Sequence, residues 1–332
     1  MAEPRLRVWL ARPLFEDVTG RLDQHFDVVR SAVGNRYAGA EIAARLRDVD
    51  GALVTLVERI GAEEIAGATR LRAVANVGVG YDNIDVEALG AAGVLVTNTP
   101  DVLTDTTADF GFALLMAAAR RVTEAERWLR DGHWGRWSFD TLLGVDLHGS
   151  TLCILGMGRI GQGIARRAAG FDMRVLYHNR SRLPEAVERE CRAEYADLPG
   201  LLQRADHLVL ALPHSASTHH LIDAGALARM KPTATLVNIA RGGIVDELAL
   251  AAALAGGRLG AAALDVYEGE PRVRPELLAL DNVVLTPHIA SASLATRRAM
   301  VALAVDNLVA ALGCGPDAGR PPTPVNAGAL KR

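Results

Sequence analysis

Short runs of β-branched and aliphatic residues recur along the chain, separated by segments whose apolar positions fall three and four apart. In the first third the runs are Leu6 to Leu10, Gly51 to Leu56, Leu71 to Val77 and Val94 to Asn98. From residue 150 the pattern resumes as TLCILG, RVLYHN, HLVLAL, ATLVNIA, AAALDV and NVVLTPH. Helical spacing marks AEIAARLRDVD and AEEIAGATR early, then IGQGIARRAAGF, DAGALARMK and DELALAAALAGG. Strand alternating with helix predicts an α/β fold of two doubly wound parallel-sheet domains with a ligand cleft between them. A long helix is predicted over roughly Thr106 to Arg130, followed by the aromatic segment GHWGRWSFD. Another runs over about Ser293 to Ala311, before the proline-rich tail GRPPTPVN.

Composition narrows the class. A chain of 332 residues exceeds what one compact core usually holds, and 50% of it is hydrophobic, which argues for well-buried cores. The net charge of -3 is dispersed, with no basic stripe for nucleic-acid phosphates. The opening MAEPRLRVWLARP lacks the apolar run of a secretory signal, and no segment is long and apolar enough for a bilayer, so no membrane partner is expected. Cys153, Cys191 and Cys314 are far apart, odd in number and without metal spacing. A soluble, cytoplasmic protein without a metal is the expectation.

The strand TLCILG runs into Gly156-Met157-Gly158-Arg159-Ile160-Gly161, which opens a helix. In that context GxGxxG signals a dinucleotide. Gly156 permits the tight turn, Gly158 lets backbone approach a pyrophosphate, and Gly161 lets the helix pack on the strand. An NAD-binding unit places an acid about 20 residues on, for the ribose 2′-hydroxyl. Here Asn179 stands 18 residues after Gly161, followed by Arg180, Ser181 and Arg182. A carboxylate there repels a 2′-phosphate and a guanidinium pairs with it, so NADP(H) is expected as the preferred cofactor, with NAD(H) second.

Three strand ends carry further chemistry: NIARGGIVDE with Arg241, LDVYEGEP with Asp265, Glu268 and Glu270, and LTPHIAS with His288. Ligands of such sheets bind outside the carboxyl ends of the strands. Reducing a carbonyl needs a proton donor, and histidine titrates near neutrality. A carboxylate such as Glu270 orients it, and an arginine such as Arg241 grips a substrate carboxylate.

These segments, with NVGVGYDNID, TPDVLTDTTADF and LHGSTLCILGMGRIGQGIARR, resemble the D-isomer-specific 2-hydroxyacid dehydrogenases over nearly the whole chain. The resemblance implies that Arg241 binds the substrate carboxylate and carbonyl, that His288 is the general acid/base and that Glu270 is its partner. It implies a Rossmann-type cofactor domain at 101–289 and a flavodoxin-like substrate domain from 1–100 with 290–332. The backbone amides of Val79 and Gly80 would hold the substrate carboxylate, with Ser291 nearby. Asp265 would lie near the nicotinamide; Gly158, Arg159 and Ile160 would face the pyrophosphate. Thr107, Leu212, Pro213, Ile239, Ala240 and Ala290 would complete the cofactor channel. A homodimer through residues 106–145 is implied.

Within the family the likeness is greatest to the glyoxylate/hydroxypyruvate reductases, including the branch that reduces 2-ketogluconate. TPDVLTDTTAD, WGRW and NRSR carry it. In that group a tryptophan of this segment reaches the partner subunit's site; Trp137 is the candidate, then Trp134. Phosphite dehydrogenases have lysine where Val79 stands, and formate dehydrogenases have glutamine where Glu270 stands. Ala290 departs from the glycine of many members. The alternatives are an NAD-dependent dehydrogenase of another hydroxy acid, and a dinucleotide-sensing co-repressor of the same fold.

Overall fold

The computed structural model describes residues 5–34 and 37–331. It divides the chain into two compact units, Met1–Leu103 with Ala292–Arg332, and Thr104–Ser291.

In the first unit five parallel strands, β1 (Arg7–Leu10), β2 (Asp27–Arg30), β3 (Gly51–Thr55), β4 (Ala73–Val77) and β5 (Leu95–Thr97), stand in the order β2-β1-β3-β4-β5. That is the flavodoxin-like order. One face packs Trp9, Val54 and Val74 against Ile42 and Leu46 of the helix Ala40–Arg47 and Leu89 of the helix Val86–Ala91. The helix Leu294–Ala311 packs against β3 and β4. Gly51 makes room for this packing: an added Cβ would lie 2.9 Å from the methyls of Leu308 and Leu312, which would have to shift. Ser293 caps that helix by accepting from the Thr296 amide at 3.2 Å.

The second unit contains seven parallel strands: β6 (Thr151–Leu155), β7 (Arg174–His178), β8 (Ala193–Tyr195), β9 (His207–Leu210), β10 (Thr235–Asn238), β11 (Ala261–Leu264) and β12 (Val283–Leu285). Their order, β12-β11-β10-β9-β6-β7-β8, is the dinucleotide-binding order with one strand added at the far edge. Alternate residues feed two cores. Cys153, Leu155, Leu208 and Leu210 face one; Leu152, Ile154 and Val209 face the other. Burying both faces makes each central strand apolar throughout, and each large aliphatic side chain so buried contributes roughly 1.5–3 kcal/mol. The polar loops at the strand ends therefore grow from a rigid frame.

Some elements differ from expectation. Edge strands β2 and β8 were not expected; they are short, polar and partly exposed. The long helix is two, Thr104–Ala119 and Val122–Arg130, with Arg121 between them at φ +53°. The returning segment causes the break. The Val145 amide takes the Ala119 carbonyl at 2.9 Å, and Gly144 lies where a Cβ would be 2.4 Å from that oxygen. AEEIAGATR and DAGALARMK form only the single turns Ala62–Ile65 and Ala224–Leu227. No helix among the described residues is long and apolar enough to cross a membrane, and all three cysteines are free.

Candidate active site

The glycine turn has the geometry that an anion requires. Gly156 has φ +99°, and an added Cβ would fall 2.6 Å from the Ala211 backbone, so no other residue fits. A Cβ on Gly161 would lie 2.3 Å from the Gly156 carbonyl, so the helix Arg159–Ala168 can close on the turn only through a glycine. Gly158 is the opposite case. Nothing lies within 4 Å of its added Cβ, which leaves an open cradle at the helix N-terminus that a side chain would fill. Thr107 offers a buried hydroxyl with no hydrogen-bond partner among the described residues. These features fit a dinucleotide.

At the end of β7, Asn179 turns its side-chain carbonyl to the Met157 amide at 2.7 Å. This ties the residue to the glycine turn and leaves its NH2 to donate elsewhere. The two arginines are not equivalent. Arg182 makes two hydrogen bonds of 2.8 Å to Glu188, whose carboxyl also accepts from the Tyr177 hydroxyl at 2.7 Å. Arg182 and Tyr177 together hold the Glu188 carboxyl down at about 2. Arg180 and Ser181 lie exposed beside this group.

Beyond β11 and β12 the segments 265–270 and 286–290 meet. His288 Nδ1 lies 2.8 Å from Glu270 Oε2, and the other Glu270 oxygen accepts from the Tyr267 amide at 2.9 Å. Burial pushes the Glu270 carboxyl up, but the hydrogen bond and charge of His288, the Tyr267 amide and the charge of Arg241 outweigh it and hold it below the ordinary range. His288 has φ +53°, a left-handed conformation costing about 1–2 kcal/mol outside glycine. Asp265 keeps it there. This fully buried residue accepts from Thr286 Oγ1 at 2.7 Å and from the amides of Ile289 and Ala290 at 2.8 Å, while its carbonyl takes the His288 amide at 2.9 Å. Asp265, expected near the nicotinamide, anchors the histidine loop with its carboxylate. Ser291, half-buried, follows that loop.

Arg241 follows β10 and is fixed through its backbone. Asn238 donates to the Arg241 carbonyl at 2.8 Å and accepts from the Ala240 amide at 3.0 Å. Gly242 then packs on residues 267 and 268 so closely that a Cβ would meet the Tyr267 carbonyl carbon at 1.9 Å. The guanidinium donates to the Ala240 carbonyl at 2.8 Å, and its charge reaches Glu270. Ile239 and Ala240 are nearly buried before it; Leu212 and Pro213 follow β9 at the same end of the sheet.

In the first unit, residues 78–80 follow β4. Their carbonyls are taken from below: Asn98 donates to Val79 at 2.8 Å and Asn76 to Gly80 at 2.9 Å. Asn83 donates to the Thr55 and Glu58 carbonyls at 3.0 and 2.9 Å. Glu58, fully buried, accepts from Arg12 at 2.7 Å and from Thr55. Sequence reading missed this frame. The signal was present, since an asparagine inside the apolar strand AVANV must find a partner. Trp134, Trp137 and Phe139 stand on the arm with exposures of 57%, 73% and 86%.

An imidazole fixed by a carboxylate, at the same sheet end as an arginine and a pyrophosphate cradle, suits hydride exchange at a carbonyl; the chain is an NAD(P)-dependent oxidoreductase. Residues 112–290 match the D-isomer specific 2-hydroxyacid dehydrogenase, NAD binding domain, and the chain belongs to that family. It is 48% identical over 310 residues to the glyoxylate reductase of Thermococcus kodakarensis, covering 92% of this chain and 93% of that one. The NADPH-dependent glyoxylate/hydroxypyruvate reductase of Sinorhizobium meliloti, solved with NADP and malonate, superposes with TM-score 0.87 at 38% identity, over 99% of each chain. A glyoxylate reductase from Paecilomyes thermophila gives TM-score 0.87 at 32% identity, over 97% of this chain and 99% of that one.

Proposed function

We propose that this protein reduces small 2-keto acids to D-2-hydroxy acids, with glyoxylate and hydroxypyruvate as substrates, 2-ketogluconate as a larger one, and NADPH preferred over NADH. The carrying observation is the 2.8 Å pair of His288 Nδ1 with Glu270. With Nδ1 held by a carboxylate, Nε2 is the atom left to give a proton to the carbonyl oxygen as charge develops there. Arg241 pairs with the substrate carboxylate and polarises the carbonyl. Val79 and Gly80 supply backbone amides to that carboxylate, the part the family resemblance implies, and the asparagine frame beneath them fixes their orientation.

When bound, the reduced nicotinamide cofactor supplies the hydride. Gly156, Gly158 and Gly161, with the amides of Arg159 and Ile160, would hold its pyrophosphate. Thr107, Leu212, Pro213, Ile239, Ala240 and Ala290 would line the rest of its path. Asn179, Arg180 and Ser181 would read the 2′-phosphate, with Arg182 held at the rim by Glu188. The absence of a carboxylate at the end of β7 supports NADPH. The exposed aromatic arm supports a homodimer through residues 106–145, with Trp137 reaching the partner's site. Initial rates with NADPH and NADH on glyoxylate, hydroxypyruvate and 2-ketogluconate test the reading. Preferred NADPH turnover on any of them supports it; no turnover on all three contradicts the substrate class.

A further inference from the structure

After β9 the chain runs PHSASTHH, residues 213–220, and none of its histidines serves the chemistry above. His214 Nε2 and His219 Nδ1 lie 3.4 Å apart, and the rings of His219 and His220 stack with centroids 4.0 Å apart. His220 Nε2 is 3.4 Å from Glu268 Oε2. One donor atom each from His219, His220 and Glu268 falls within 4.8 Å of the other two. We propose that His219, His220 and Glu268, with His214 as a fourth donor, form a site for a divalent transition ion of the zinc type.

The donor set and its spacing carry the proposal. Ligands at about 2.0–2.2 Å around a tetrahedral ion stand about 3.3–3.6 Å from one another. Two of the present separations are 3.4 Å, which is long for a hydrogen bond and right for two ligands of one ion. The three donor atoms all lie within 4.8 Å of one another, and the His219 side chain is exposed and next to Gly243. Imidazole with carboxylate selects zinc, nickel, cobalt or copper over magnesium and calcium.

The backbone holds the donors in place. His220 sits at φ +49° with its amide on the Gly243 carbonyl at 2.8 Å, and the Glu268 amide is taken by the Glu247 carboxylate. Arg274 approaches Glu268 at 3.4 Å and faces Glu247 at the same distance, so it keeps a carboxylate partner when an ion takes Glu268. The Arg274–Glu268 pair is partly exposed to solvent, which screens it, so it offers little competition.

Calorimetric titration of untagged, chelator-stripped protein with ZnCl2, in excess magnesium, tests the site. One ion per chain is expected. His220→Gln and Glu268→Gln should weaken binding at least tenfold, and His148→Gln, an exposed histidine elsewhere, should not. Because Glu268→Gln also breaks the pair with Arg274, His219→Gln separates ligation from folding and should weaken binding tenfold as well. No bound ion, wild-type binding by all three site variants, or equal weakening by His148→Gln overturns the proposal.

Discussion

Glutamine at position 270 keeps the shape of the side chain and removes its charge. The wild-type carboxylate meets His288 Nδ1 at 2.8 Å and the Tyr267 amide at 2.9 Å. A hydrogen bond to a charged group contributes about 1.5–3 kcal/mol. The two side chains are 26% and 27% exposed. Solvent screening therefore places the effect at the lower end, about 1.5–2 kcal/mol. At 1.36 kcal/mol per tenfold, that is roughly 10- to 30-fold. In the reductive direction the imidazole acts only when protonated. Removing the charge that holds and orients it should therefore lower kcat/KM roughly 10- to 30-fold, while Glu270→Asp should lose less. The assay is the initial rate of NADPH oxidation by glyoxylate, followed by nicotinamide absorbance across pH. Glu270→Gln turnover within about twofold of wild type would refute the partnership.

Arg180→Ala should raise the KM for NADPH about tenfold or more and leave NADH unchanged, because a charge-assisted contact to the 2′-phosphate exists only with NADPH. Equal effects on both cofactors would show that Arg180 does not read the phosphate. Acid stability should report on Glu188, whose carboxyl Arg182 and Tyr177 hold at about 2, below the ordinary 4.5. A depressed carboxyl stabilises the fold fully above its unfolded value and loses that contribution as pH falls through the folded one. Urea midpoints of wild type should thus fall more steeply between about pH 5 and pH 2 than those of Glu188→Gln. Parallel curves would mean that the Arg182 pairing contributes nothing.

The central strands could be read from the chain because burial on both faces makes them apolar throughout, as in TLCIL and HLVL. Edge strands β2 and β8 could not: DVVR and AEY carry polar residues and make half the ladder contacts. Apolar spacing runs unbroken through Arg120 and Arg121, and only the return of residues 144 and 145 to Ala119 ends the helix there. Arg241, Glu270 and His288 stood out because chemistry-bearing residues at strand ends are few, and the structure joins the last two directly. Asp265 was noticed for its place, but its hold on the amides of Ile289 and Ala290 depends on a turn that no local pattern encodes. Arg182 looked the equal of Arg180 until the helix Glu185–Cys191 brought Glu188 beside it.

The central claim is that His288 delivers the proton in an NADPH-driven reduction of a 2-keto acid. Its most direct measurement is kcat for His288→Ala on glyoxylate, paired with the NADPH dissociation constant of the same variant. The account predicts a loss of roughly 10²–10⁴ in kcat with NADPH affinity within about threefold of wild type. Turnover within a few-fold of wild type, with NADPH still bound, would contradict it.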